Sequence, residues 1–338
     1  MVISRRALIA SSAAVTTTAT VNIRTRPANA AQFVYRYGND CAPDHPLSTW
    51  AQKAADRIKI ETDGRLEIKC FPNSQLGGDP DMLAQLRSGA LEFLAYSGSM
   101  LSVFVPVSAI DGVGFAFKDP STVWKAVDGD LGAYVRNATN KTNVMAMERI
   151  WDNGFRNITS SKGPIEKPAD LKGLKIRVPV TPLWAAMFKA FGANPISLSF
   201  SEVYSALQTK VADAHDNTLA IILFSKIYEV QKYLTISRHI WCGYWLLANK
   251  RAFGRLPPDV QDIVSRIMNE CAMGEREELA KFEDEYRKEL GERGMIINQV
   301  EAAPFRNYLS EVGFYKEWHK TYGDEAWSLL ERYTGKLA

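Results

Sequence analysis

Between Gln32 and Tyr96 the chain alternates strand-like runs with amphipathic helices, and this alternation restricts the fold more than any other feature. Gln32 to Tyr37 reads as an opening strand. A loop carrying Asn39, Asp40, Pro43 and Pro46 leads into the amphipathic run TWAQKAADRIKIET, stopped by Asp63-Gly64. Arg65 to Phe71 is a second strand. Gly77-Gly78 then precede Asp79, placed to cap a helix with Pro80 in its first turn. That helix ends at Gly89, and Leu91 to Tyr96 forms a third strand. Strand, helix, strand, helix, strand is the pattern of a parallel sheet covered by helices, so the fold class is α/β. The polar turn Ser97-Gly98-Ser99 falls at the carboxyl end of the third strand.

Further along, residues 119 to 140 read as helical and Val144 to Ile150 as a strand, followed by the segment WDNGFR from Trp151 to Arg156. Leu174, Ile176 and Val178 alternate with Lys175 and Arg177 in GLKIRVP, the period of a strand with one buried face, ended by Pro179. Residues 181 to 191 and 199 to 210 are expected helices, Val211 to Asp216 a short strand or turn, and 219 to 232 helical again. Trp241 to Ala248 is an aromatic strand. From Pro257-Pro258 to about Leu290 the charge-dense sequence has few breakers and predicts one long helix. Trp318, Tyr322, Trp327 and Tyr333 fall on two short tail helices and read as core.

Composition bounds the function. Of 338 residues, 46% are apolar and 23% charged, ordinary for a soluble globular protein. No window approaches ~18 consecutive apolar residues, so no membrane insertion is expected. The first thirty residues differ. Arg5-Arg6 precede a weakly apolar run rich in Ala, Thr and Ser, and Ala28-Asn29-Ala30 fits a small-residue cleavage site. This predicts a periplasmic protein exported on a twin-arginine signal cleaved after Ala30, with general secretion as the alternative. Four of the 41 basic residues lie in that segment and no acid does, leaving 37 bases against 38 acids. A near-neutral chain carries no nucleic-acid footprint. Cys41, Cys70, Cys242 and Cys271 have no metal-type spacing; pairing and free thiols both stay open.

The sequence lacks a GxSxG elbow, a P-loop and HExxH, and has only four scattered histidines. Gly112-Val113-Gly114 reads as a turn. His45 either lines a cleft or starts a helix facing solvent. His215 lies near Asp213 and Asp216, a poor metal signature, and no cofactor is expected. What remains suits an anion. Arg177 ends its strand, where open α/β sheets bind ligands, and its planar fork of donors matches a carboxylate. Arg156 closes WDNGFR, and Asn217 closes DAHDN. Each alone is ordinarily structural; three at strand ends or turns of one half of the chain make a case.

FPNSQLGGDPDMLAQLRSGALEF, NGFRNITSSKGPI, DLKGLKIRVP and FSEVYSALQTKVADAHDNTLA, followed by YEVQKYL, together identify a family. Over essentially its whole length after the export signal, the chain resembles the solute-binding subunit of tripartite ATP-independent periplasmic (TRAP) transporters, dicarboxylate-binding type. The resemblance implies a two-lobe periplasmic binding protein, each lobe a mixed sheet flanked by helices, with one long helix spanning both. Residues 31–153 plus about 243–282 would form lobe I, and 154–242 plus about 283–338 lobe II, after a signal at 1–30. It further implies that a small organic acid is captured between the closing lobes and delivered to TRAP membrane permease subunits, without enzymatic turnover. In the family the arginine of the KIRV segment forms the main carboxylate pair, here Arg177, and that of NGxR a second contact, here Arg156. The asparagine ending the DGQEN motif corresponds to Asn217, although Ala214, His215 and Asp216 replace the usual Gly, Gln and Glu. Asp40, Ser97 and Phe200 fall at positions that often line the cleft. Trp151 and Trp184, each near a proposed arginine, would add a flat apolar slot for an aromatic or bulky acid, with Trp241, Tyr244 and Trp245 as further candidates. A sensor input or a periplasmic enzyme with a reactive His or Cys are the alternatives.

Overall fold

The alternation at the start of the chain folds as a parallel run of strands. A computed structural model describes residues 31–337; the expected export signal at 1–30 lies outside the described residues. β1 (Phe33–Gly38), α1 (Pro46–Glu61), β2 (Leu66–Phe71), α2 (Asp79–Ser88) and β3 (Phe93–Ser97) follow the expected order, and β1 pairs in parallel with both β2 and β3. Asp79 does not cap α2: Gly78 holds the cap position and Asp79 begins the helix, its carboxylate reaching elsewhere. His45 does not face solvent either. It is buried, and Nδ1 accepts the Leu47 amide to cap α1. The polar turn after β3 winds into α3 (Gly98–Leu101), and a 3-10 segment spans Pro106–Gly112. The expected helix over 119 to 140 breaks at Asp128-Gly129 into α4 (Pro120–Val127) and α5 (Asp130–Asn140). The strand expected to Ile150 is only β4 (Val144–Ala146).

The WDNGFR segment is the start of a strand, β5 (Trp151–Ser160). β6 (Lys175–Val178), α6 (Pro182–Ala190), β7 (Asn194–Ser197), α7 (Val203–Gln208) and β8 (Ala214–Asn217) build a second parallel run, β8-β6-β7. α8 (Leu219–Phe224) stops well short of 232, because the chain turns through Lys226 in a left-handed conformation into a 3-10 turn at Ile227–Glu229. The aromatic strand begins earlier than expected, as the 17-residue β9 (Tyr233–Asn249). α9 (Lys250–Gly254), α10 (Pro258–Glu292), β10 (Ile296–Gln299), α11 (Ala302–Glu311) and α12 (Phe314–Thr334) complete the chain.

The order β2-β1-β3-β9-β5-β8-β6-β7 shows how two lobes arise from one sheet. β9 and β5, antiparallel to each other, run between the parallel triplets. β9 pairs with β3 and β4 near its carboxyl end and with β10 near its start. The main apolar cluster runs through both triplets, from Leu66 and Phe93 to Ile176 and Ala214, and a smaller one of Val203, Leu207, Ile222, Leu234, Leu290 and Met295 stands apart from it. α10, about 52 Å long by its 35 residues, packs on α1 at one end and α8 at the other. A Cβ on Gly274 would lie 2.2 Å from the Trp50 ring, so glycine permits that close approach. α12 packs on α4, α5 and the 106–112 segment and also on α6 and α11, its aromatic face, with Tyr315, Trp318 and Trp327, joining the main core. Among the described residues no helix is long and apolar enough to cross a membrane, and all four cysteines are free thiols.

Candidate functional site

Arg177 sits one residue from the carboxyl end of β6, in register with His215 of β8 and Ile196 of β7. Central strands bury both faces, so the alternation expected to expose Arg177 instead leaves it 1% accessible. Its Nε and Nη2 donate to the Leu198 carbonyl at 3.1 and 2.6 Å. No carboxylate among the described residues forms an ion pair with it. Burial accordingly pulls its pKa down to about 10, against the opposing pull of Asp79. A buried guanidinium held by a carbonyl on one edge presents Nη1 as an anion donor.

Arg156 has a different position. A bulge in β5 between Asp152 and Gly154, which Gly154 admits at φ +94, adds one residue against β9 and re-aims the strand. Arg156 Nε then donates to Asp216 Oδ2 at 2.5 Å, Nη2 to the Asp216 carbonyl at 2.5 Å and Nη1 to Asn217 Oδ1 at 3.0 Å. Its guanidinium lies 4.6 Å from the Trp184 ring centroid. Burial opposes the charge, but Asp216 outweighs it and holds Arg156 above its usual pKa. Asp216, likewise buried, is held well below the carboxylate range by Arg156. His239 Nε2 stands 3.4 Å from the same carboxylate oxygen and is kept neutral chiefly by burial. His215 is also neutral, through burial and the nearby Arg177.

Asn217, 4% exposed, ends β8, with Nδ2 3.3 Å from His215 Nε2. Across the cleft, Tyr244 donates its hydroxyl to Asp40 at 3.0 Å. Burial and the charge of Asp79 push the Asp40 pKa up to about 7. These groups share one space of about 270 Å³, lined by Asp40, Ser97, Arg156, Arg177, Asn217 and Tyr244, with Met100, Pro179, Trp184, Phe200 and Cys242. A larger cavity, about 690 Å³, lies between β5, β9 and α10, around Trp124, Asp152, Phe155 and Trp241. It contains two carboxylates and no basic side chain, so size alone does not mark it as an anion site.

Seven of the eight residues singled out in the sequence line the smaller space. Trp151 does not. It stands directly opposite Tyr244 in the β5–β9 register but is only 1% exposed, and its partner lies four β9 residues from Ile240, the partner of Arg156, about 13 Å at ~3.3 Å per residue. Trp241, alternating with Cys242, faces the larger cavity, and Trp245 does not line the cleft. The flat tryptophan slot is therefore not assembled: Trp184, Phe200 and Tyr244 are the aromatic rings at the cleft, and Arg156 covers one face of Trp184. The sequence marks Asp79 only as a cap. Its Oδ2 accepts from Ser199 Oγ at 3.1 Å and the Phe200 amide at 2.9 Å, joining α2 to the other side of the cleft. Asp216 likewise carried no separate signal beyond replacing the usual Glu. Among the described residues no group of three or more His, Cys, Asp or Glu side chains converges on a metal-binding arrangement.

This geometry agrees with comparison to known proteins. The profile described as bacterial extracellular solute-binding protein, family 7, matches residues 37–320. The C4-dicarboxylate-binding periplasmic protein DctP of Rhodobacter capsulatus is 34% identical over 248 residues, covering 72% of this chain and 73% of DctP. A TRAP periplasmic solute-binding protein of Sulfurospirillum deleyianum, solved with bound succinate, superposes with a TM-score of 0.85 at 30% identity, over 90% of this chain and 99% of that one. The sugar-acid-binding DctPAm of Advenella mimigardefordensis, solved with galactonate, gives 0.86 at 26% identity, over 92% and 100%. A match across both lobes and the strands that join them places the chain in bacterial extracellular solute-binding protein family 7, the solute-binding proteins of TRAP transporters.

Proposed function

We propose that the protein captures a small organic acid anion between its two lobes in the periplasm and delivers it to the membrane subunits of a TRAP transporter. The observation that carries this reading is Arg177, a guanidinium 1% exposed whose hydrogen-bonded protein partner is the Leu198 carbonyl and no carboxylate. A ligand carboxylate supplies the missing charge and accepts from Nη1, while Asn217 and the unengaged N–H groups of Arg156 complete its shell. Asp40, Ser97, Phe200 and Trp184 form the remaining walls; Trp151 acts from the core behind Tyr244. The cleft is narrow, its walls closed in by Met100, Trp184, Phe200 and Tyr244, and a flat aromatic acid finds no stacked tryptophan pair there.

Binding draws an open ensemble toward the closed one to the extent that the acid prefers the closed form. Lobe I comprises 31–153 and about 243–282 together with α12; lobe II comprises 154–242 and about 283–313. The export signal is removed after Ala30, and the bound acid is released chemically unchanged. Calorimetric titration of wild type and Arg177→Lys with a panel of small acids tests this. The lysine variant lacks the bidentate fork and is expected to bind at least about a hundredfold more weakly. Equal affinity of the two proteins would remove Arg177 as the anchor, and recovery of a converted acid would overturn the non-enzymatic role.

A further inference from the structure

The charges lining the cleft do not suit a ligand with acids at both ends. Two guanidinium groups face it, but Arg156 is already paired with Asp216 at 2.5 Å. Arg177 is therefore the one lining cation without a carboxylate hydrogen-bonded to it among the described residues. The opposite wall holds a carboxyl group. Asp40 is 6% exposed, and Tyr244 donates its single O–H to it, 3.0 Å from Oδ1 and 3.3 Å from Oδ2. The Cys41 thiol, 3.6 Å from Oδ1, also leans on that oxygen, leaving acceptor capacity on Oδ2. Ser97 Oγ is 2.6 Å from Ser99 Oγ and takes the Cys242 thiol at 3.6 Å. Among the described residues no second cation lines this end, and the Tyr244 hydroxyl is committed to Asp40, so neither receives another carboxylate.

We propose that the ligand is a monocarboxylate bearing a hydrogen-bond donor, a hydroxyl or an ammonium, with its acid on Arg177 and its donor on Asp40. This rests on the reading of Arg177 as the carboxylate anchor. Asp40 selects in both directions: its oxygens accept from the donor, and its ionised form opposes a second carboxylate by like charge in a largely buried site. An alkanoate of the same length leaves the Asp40 oxygen unmatched and binds more weakly than the donor-bearing acid.

Calorimetric titration with six probes tests the assignment. Butyrate, D-erythronate, L-threonine and succinate share a four-carbon skeleton, and D-galactonate differs from galactarate by one terminal carboxyl. Erythronate or threonine is expected to bind at least about tenfold tighter than butyrate and about a hundredfold tighter than succinate. Galactonate should likewise exceed galactarate. Asp40→Asn, nearly isosteric, should narrow the monoacid-to-diacid ratio at least about tenfold while melting within a few degrees of wild type. If succinate and galactarate bind as well as their monoacid partners, with the ratio unchanged in Asp40→Asn, the role of Asp40 is overturned and the Arg177 anchor survives. If Arg177→Lys binds every probe as wild type does, the anchor itself falls. If wild type binds none of the six, both readings fail.

Discussion

Two arginines that look alike in sequence have opposite energetic characters. Arg156 is hydrogen-bonded to a carboxylate and, among the described residues, Arg177 is not, so their substitutions should separate accordingly. Arg156→Met strands the buried Asp216 carboxylate and is expected to destabilise the protein by about 3–5 kcal/mol in urea unfolding. Arg177→Met removes a desolvated charge that Asp79 offsets only at a distance, with no hydrogen-bonded carboxylate among the described residues. It should leave the melting temperature unchanged or slightly raised while abolishing the thermal shift produced by the acid. A large loss of stability in Arg177→Met would show that the guanidinium is structural. Asp216 adds a pH signature. Its folded pKa is depressed below the unfolded value, so its contribution is fully present above about pH 4 and declines by about 1.4 kcal/mol per pH unit below that. The stability gap between wild type and Asp216→Asn should therefore shrink as the pH falls from 5 to 2. A gap constant across that range would mean that the carboxylate does not titrate with folding.

At the level of elements, α2 meets the loop before α7 through one carboxylate. Asp79 accepts from Ser199 and the Phe200 amide across the cleft. Trp184 of α6 donates to the Gly112 carbonyl on the other side at 2.9 Å. Contacts of this kind exist only when the lobes are together, so their loss should weaken binding without touching the acid. Hydrogen bonds to a charged acceptor contribute about 1.5–3 kcal/mol. Asp79→Ala should therefore lower affinity about ten- to hundredfold, with a faster dissociation rate in stopped-flow fluorescence. An unchanged dissociation rate would exclude the Asp79 contact from closure.

For the whole molecule, closure must be absorbed where β5 and β9 run between the lobes. Their register slips between Arg156 and Ile158, and Arg238 there has a φ of +43. Asn157 Oδ1 accepts both the Ser237 and Arg238 amides at 3.2 Å, and Arg238 reaches Glu283 of α10 at 2.7 Å. A non-glycine residue in this region stores strain that its surroundings must hold, and here the holding groups come from β5 and α10. Small-angle scattering should show a smaller radius of gyration on addition of a binding acid. Arg238→Gly, which relieves the strained conformation, should alter that change while leaving the Arg177 contacts intact. A radius that acid leaves unaltered in wild type would remove lobe closure from the mechanism.

The sequence by itself determined the two-lobe α/β fold, through strand–helix punctuation around Pro, Gly and Asp residues and through motifs that span most of the chain. It also located Arg177 and Asn217, because a charged or amide group at a strand end is a local signal. The long helix was legible for the same reason: few breakers interrupt its charge-dense run. Tertiary structure alone decided which groups neutralise which. The pairing of Arg156 with Asp216 joins residues 60 apart, Asp79 meets Ser199 across 120, and Tyr244 meets Asp40 across 204. It also decided that Trp151 and Trp241 leave the cleft and that α12 packs on α4, α5 and the 106–112 segment. Periodicity reports which face of an element is buried; what the buried groups bond to depends on strands and helices brought together from distant parts of the chain, and a net charge at a site is a property of that assembly.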